Sequence, residues 1–295
     1  MLEFEKINDE IFLLRVPFST VWTGVIIIND TSNGKNYLID SSNDNPEKFI
    51  IPALGRIGIK PEDIDYLLNT HCHGDHIGGH SVMAKKYGIK VATYANGAAR
   101  LENPAENAVR IRTKFPNHSP NPQSWLKGVK ADIVLEDGEV LGNRLKLIHT
   151  PGHDDDCVCW YDLPTRTVIS GDSIQANGTP TQGIGFYQSL DDYMKSLDTL
   201  CKYDIENIIA GHDYDGIGDV IIGKEKVSEA LSVCRDYVKK YDKYIREKYN
   251  GGETDAAKIA VELINEMGCG MPKHLFLALY TVTEHIRIIR EGKKI

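Results

Sequence analysis

The segment Asn69-Thr70-His71-Cys72-His73-Gly74-Asp75-His76 sets three imidazoles and a carboxylate within a few positions of one another. Neutral imidazole and carboxylate are the ligand types that suit zinc, and a catalytic zinc site keeps one coordination position open for water. In an extended loop His71 and His73 project to the same side, while Asp75 and His76 face a second point nearby, so one loop can serve two ions. The loop alone cannot complete two coordination shells. Three further residues follow apolar runs: His153 in His149-Thr150-Pro151-Gly152-His153, Asp172 in Ser170-Gly171-Asp172-Ser173, and His212 in Ala210-Gly211-His212-Asp213. A glycine before each lets the backbone pass close to a crowded centre.

In that order HxHxDH, TPGH, SGD and GH resemble the metallo-β-lactamase superfamily of metallohydrolases, over roughly residues 7 to 215. The resemblance implies an α/β (α+β) fold, a four-layer αβ/βα sandwich of two mixed sheets. It implies that His71, His73 and His153 bind one metal and Asp75, His76 and His212 the other, with Asp172 bridging them. Asp40, in Tyr37-Leu38-Ile39-Asp40, corresponds to an upstream aspartate that supports the site without binding metal. Two divalent ions are expected, zinc first, with iron or manganese as alternatives. Such a pair holds a bridging hydroxide at neutral pH, and that hydroxide is the nucleophile. Asp75 is the candidate for orienting it or taking its proton.

The elements that must position these residues are legible in outline. Strands are expected at Ile11 to Val16, Trp22 to Ile28 and Tyr37 to Asp40, then helices near Pro46 to Ile57 and Gly79 to Tyr87, alternating with strands Tyr66 to Asn69 and Lys90 to Tyr94. A second strand set follows at Asp132 to Leu135, Leu145 to His149, Cys157 to Tyr161, Thr167 to Ser170 and Asn207 to Ala210. Ser189 and Asp192 mark the start of a helix carrying Leu190, Tyr193, Met194, Leu197 and Leu200. We expect a catalytic domain over 1–222, with an insert loop at 98–130 that could act as a lid, and a helical C-terminal extension over 223–295 packed on it. The insert holds one helix, Glu102 to Lys114, then a proline- and asparagine-rich stretch.

Other polar residues have plainer readings. Cys72, Cys157 and Cys159 are expected to pack as small hydrophobes. His80, His149, His274 and His285 are read as structural. His118, Trp125, Tyr187 and Tyr214 are the candidates for bounding a substrate pocket.

The formal charge of −8, from 34 basic and 42 acidic residues, repels phosphate backbones, so no nucleic-acid partner is expected. The acidic start and the lack of a long apolar window point away from a secretory leader or a membrane span, and six scattered cysteines fit a reducing cytoplasm. Within the resemblance, Asp75 argues against a true β-lactamase, Gln175 against a homoserine lactonase, which usually has tyrosine there, and His73 against a flavodiiron site. Hydrolysis of a small-molecule ester, thioester or related bond leads. The alternatives are a mononuclear iron persulfide dioxygenase-like oxidoreductase and a phosphodiesterase or nuclease, with a non-enzymatic metal-binding protein last. The C-terminal helices offer a surface for a homodimer.

Overall fold

The computed structural model describes all residues, Met1–Ile295, and they form two compact units: Met1–Ile111 with Pro122–Ile148, and Arg112–Asn121 with His149–Ile295.

The first unit opens with β1 (Glu5–Lys6), β2 (Ile11–Phe18), β3 (Val21–Asp30) and β4 (Lys35–Ile39), paired antiparallel in chain order. Helix α1 (Pro46–Arg56) then returns the chain to β5 (Tyr66–Leu68), which lies parallel to β4. Its start is fixed by Asn45, whose side chain accepts from the Lys48 N–H, and by Pro46 in the first turn. The one-turn helix α2 (Gly74–Ile77), α3 (His80–Tyr87), β6 (Lys90–Tyr94), α4 (Ala95–Glu102), α5 (Pro104–Thr113) and β7 (Ile133–Leu135) follow. The result is one mixed sheet in the order β1-β2-β3-β4-β5-β6-β7. Its inner parallel strand β5 is a short apolar run with Leu67 and Leu68 buried, as a strand covered on both faces must be. Leu14, Val25, Leu38, Ile50, Leu54, Leu67, Met83 and Val91 close one core beneath it. The hairpin β8 (Val140–Leu141) and β9 (Leu145–His149) completes the run of strands that begins in this unit.

In the second unit β10 (Val158–Asp162) pairs antiparallel with β11 (Thr167–Gly171). Helix α6 (Leu190–Leu200) carries the chain to β12 (Asn207–Tyr214), parallel to β11, and β13 (Gly218–Ile222) turns back antiparallel. This sheet is mixed as well. Ser189 caps α6 by accepting from the Asp192 N–H. Beyond it lie α7 (Lys224–Asn250), α8 (Ala256–Glu266) and α9 (Phe276–Arg290). Tyr241 and Ile245 of α7, Ile259 and Leu263 of α8, and Ala278 and Val282 of α9 bury themselves around Ile184. The helices after residue 222 are therefore built into the core of the second unit.

The two mixed sheets, their helices and the C-terminal helical region are those expected. Three features differ in detail. Residues 95–102 are helical although Asn96 and Gly97 weaken the pattern. β1, β8 and β13 are additional strands, the last after a glycine turn. The 98–130 stretch holds the end of α4, all of α5 and a 3-10 turn at Pro116–His118 before its irregular part. No helix is long and apolar enough to cross a membrane.

Candidate functional site

Four of the seven candidate ligands lie in the first unit, directly after β5. The segment is not extended throughout as expected. The His76 and Ile77 N–H groups donate back to the His73 carbonyl at 3.0 and 3.1 Å, so His73 caps a single helical turn that carries Asp75 and His76. At Gly74, which begins this turn, a β-carbon would stand 2.5 Å from Gln123 Oε1, the tip of a side chain that could move aside. The turn draws the imidazoles close to one another. The His71 ring centroid lies 4.5 Å from that of His73 and 4.2 Å from that of His76, and His76 Nε2 lies 3.8 Å from Asp75 Oδ2.

Hydrogen bonds beneath the rings set which nitrogen each presents. Asp40 sits just past β4 in the left-handed region, with φ of 61°. Its carboxylate accepts from the Thr70 N–H at 2.8 Å, from the Thr70 hydroxyl at 2.9 Å and from His76 Nδ1 at 2.8 Å. With its proton committed to Asp40, the Thr70 oxygen accepts from His71 Nδ1 at 3.1 Å. Protonation at Nδ1 leaves Nε2 of both rings with a lone pair, the form in which histidine binds a cation.

The other three candidates lie in the second unit. Asp172 follows β11, where Gly171 adopts φ of 47° and the ladder to β12 shifts register. His153 Nε2 and His212 Nε2 each lie 3.5 Å from the same atom, Asp172 Oδ2. On its far side His153 Nδ1 faces the Phe186 carbonyl at 3.1 Å and Gln175 Nε2 at 2.9 Å. The carbonyl can only accept and the amide nitrogen can only donate, so the tautomer that presents Nε2 to a cation gives its Nδ1 proton to Phe186, and the opposite tautomer accepts from Gln175. Gln175 braces this group: its Nε2 donates to the Asp172 carbonyl at 2.9 Å and its Oε1 accepts from the Phe186 N–H at 3.0 Å. His153 itself is brought in by Gly152, whose missing side chain admits α6, since a β-carbon would meet Tyr193 Cα at 2.5 Å.

All seven residues are buried or partly buried. Imidazoles that present Nε2, joined by carboxylates, form a donor set of borderline hardness that fits zinc or a similar divalent cation. Nearby thiols do not compete. Burial pushes the Cys159 thiol up to about 11 and holds Cys157 well above its ordinary value, so neither is a thiolate at neutral pH. Cys72 donates to the Gly97 carbonyl at 3.4 Å and packs into the first unit's core.

The candidate pocket residues fall in varied places. Trp125 is half-buried in the first unit, and His118 is half-buried at the end of its 3-10 turn in the second. Tyr187 and Tyr214 are buried, and Tyr214 borders a cavity with Asn177, Asp213 and Gly268. Tyr187 donates to His285 Nε2 at 2.6 Å and stacks on Tyr193, and the Tyr214 hydroxyl accepts from Gln175 Nε2 at 3.3 Å. His80 is buried with its Nδ1 2.7 Å from the Ser41 hydroxyl, and burial drives its pKa down to about 3, which keeps it neutral. Thr70 and the bracing role of Gln175 are not among the sequence expectations. Their only signal is nearness in sequence to ligands, three residues at most.

Residues 18–212 match the model of the metallo-β-lactamase superfamily, and the chain belongs to that family. A Caenorhabditis elegans protein named Beta-lactamase-like protein 2 homolog is 27% identical over 215 residues, which are 70% of this chain and 63% of the relative. This chain thus spans less than two thirds of that relative's length. A hydroxyacylglutathione hydrolase of Pelagibacter ubique is 25% identical over 196 residues, 64% of this chain and 70% of the relative. Among solved structures, a metallo-β-lactamase family protein from Thermus thermophilus superposes with a TM-score of 0.72 at 19% identity, covering 97% of this chain and 95% of its own. A subclass B3 metallo-β-lactamase of Bradyrhizobium japonicum gives 0.60 at 19% identity, covering 85% and 96%. These likenesses establish the fold.

Proposed function

We propose that the chain is a metal-dependent hydrolase that cleaves a small-molecule ester, thioester or related acyl bond. The candidate ligands would hold a pair of divalent cations, zinc first. His71, His73 and His153 would hold one cation and Asp75, His76 and His212 the other, with Asp172 shared. The observation that carries this reading is the placement of His153 Nε2 and His212 Nε2 at 3.5 Å from one Asp172 oxygen. An oxygen shared in this way by two imidazoles suits a carboxylate that bridges two ions.

Bound there, the cations would bring the pKa of a water molecule toward neutrality and polarise the bond to be cleaved. The protein's own groups do the rest. Asp40 and Thr70 hold the His76 and His71 rings in the coordinating tautomer. Asp75, partly exposed where its neighbours are buried, orients the attacking water or takes its proton. Relatives named hydroxyacylglutathione hydrolase support acyl-bond hydrolysis over phosphodiester cleavage, and the net charge of −8 disfavours a polyanionic substrate.

The test is metal analysis of the full chain purified without added metal, paired with a panel of ester, thioester and phosphodiester substrates. About two zinc ions per chain and turnover of acyl substrates are expected. His71→Ala and Asp172→Ala should each lower metal content and abolish turnover while leaving far-UV circular dichroism unchanged. A single iron with oxygen consumption, or full activity in both variants, would overturn the reading.

A further inference from the structure

Residues 185–187 run without regular secondary structure through the second unit, yet side chains bind the backbone at every residue of the segment. The Gly185 N–H donates to the Tyr241 hydroxyl of α7 at 3.2 Å. Thr281 of α9 binds on both sides: its hydroxyl donates to the Gly185 carbonyl at 2.7 Å and accepts from the Tyr187 N–H at 3.3 Å. The Phe186 N–H goes to Gln175, and the Phe186 carbonyl stands 3.1 Å from His153 Nδ1, beside Gln175 Nε2 at 2.9 Å, and accepts from Nδ1 in the tautomer that presents Nε2 to a cation. The next two N–H groups, of Gln188 and Ser189, donate to the Gly152 carbonyl at 2.7 and 3.1 Å, one residue before His153.

The side chain of Tyr187 fixes the same segment a second time. Its hydroxyl donates to His285 Nε2 at 2.6 Å, His285 Nδ1 faces Asp242 Oδ1 at 3.3 Å, and Arg246 donates to both oxygens of Asp242 at 3.0 Å. One neutral tautomer of His285, protonated at Nδ1, satisfies both of its bonds. Burial lowers the basicity of this ring and Asp242 opposes that effect. Tyr187, Thr281 and His285 are all buried. A buried chain of satisfied polar groups admits one arrangement, because any slip leaves a donor or acceptor unpaired.

We propose that Thr281 of α9, seconded by the Tyr187–His285–Asp242 chain, is a positioning residue for His153. It holds the Phe186 carbonyl where it orients the imidazole. The C-terminal helices are then part of the metal-site scaffold. This rests on the reading of His153 as a metal ligand given above. Carbonyls that accept from the far nitrogen of a ligating histidine fix its tautomer and ring angle, and losing such a partner weakens metal binding by about 10–100-fold.

The experiment compares the full-length wild type with Thr281→Val, Thr281→Ser and His153→Ala, titrating apo protein with zinc against a chelator and with Co2+ by visible absorption. T281V keeps nearly the same shape but neither donates nor accepts. It should bind zinc about 10–100-fold more weakly with altered Co2+ bands, and T281S should restore both. Wild-type affinity and bands in T281V, with H153A impaired, would overturn the positioning role and leave the ligand reading standing. Wild-type affinity in H153A would instead overturn the ligand reading. Should T281V fail to fold, Tyr187→Phe removes only the hydroxyl bond to His285 and is judged by the same affinity and Co2+ bands.

Discussion

Asp40 Oδ2 lies 2.8 Å from His76 Nδ1, with both side chains buried. One carboxylate thereby ties the end of β4 to the helical turn that bears His76 and, through Thr70, to His71. Asp40→Asn is the sharpest probe of that tie. Asparagine tolerates the left-handed backbone at this position, so the fold should persist. Its single oxygen cannot accept every bond that the carboxylate accepts. Zinc affinity should fall by about 10–100-fold, measured by chelator competition, with melting temperature little changed. Affinity equal to the wild type would show that Asp40 does not orient the ring.

Much of this arrangement was legible in the sequence, for physical reasons. Short apolar runs ending in a polar residue marked β5, β9, β11 and β12, and ligand chemistry made the histidines and aspartates after them stand out. What was not legible depends on contacts remote in sequence. The turn at His73 to Ile77 lies against Gln123 and Leu126, about fifty residues on. The anchoring of Gly185 to Tyr187 relies on Thr281, 96 and 94 residues away. β13 rests on its pairing with β12 across the turn at Gly216 and Gly218. No local pattern shows that His285 meets the Tyr187 hydroxyl or Gln175 that of Tyr214.

Acid stability should carry the signature of Asp30. Burial raises its carboxyl pKa, but donors from Ser32 and Asn33 and the charge of Arg144 outweigh that and bring it down to about 2 from 3.8. Its folded pKa lies below its unfolded one. The contribution is therefore fully present above pH 3.8 and is lost as pH falls toward 2. It amounts to about 2 kcal/mol at neutral pH. Asp30→Asn should be less stable than wild type by about that much in urea at pH 7, and the gap should narrow below pH 4. A gap independent of pH would mean that the charge is not what the site stabilises.

Removing the chain after residue 222 tests whether the helical region is separable. Ile184 would lose its cover from Tyr241 and Ile245 of α7, Leu263 of α8, and Ala278 and Val282 of α9, all members of one buried cluster. A protein ending at residue 222 should therefore be insoluble or melt without cooperativity. Leu263→Ala in the full chain, which leaves a cavity in that cluster, should cost about 2–5 kcal/mol by chemical denaturation. A truncated chain that melts cooperatively near the wild-type temperature would show that 223–295 is only an appendage.

Gly152 and Gly138 offer a matched pair that separates backbone strain from close packing. Both have positive φ, 140° and 85°. A β-carbon at Gly138 would meet nothing within 4 Å, whereas at Gly152 it would stand 2.5 Å from Tyr193 Cα and 2.6 Å from Tyr193 N. Those are backbone atoms of α6, which cannot rotate aside as a side-chain tip can. Gly138→Ala should therefore cost about 1 kcal/mol, the strain alone. Gly152→Ala should cost about 3 kcal/mol or more, because the strain is joined by displacement of a helix. It should also weaken zinc binding, since the shift falls on the residue before His153. Equal losses in the two variants would mean that α6 does not press on Gly152, and the route by which packing places His153 would have to be sought elsewhere.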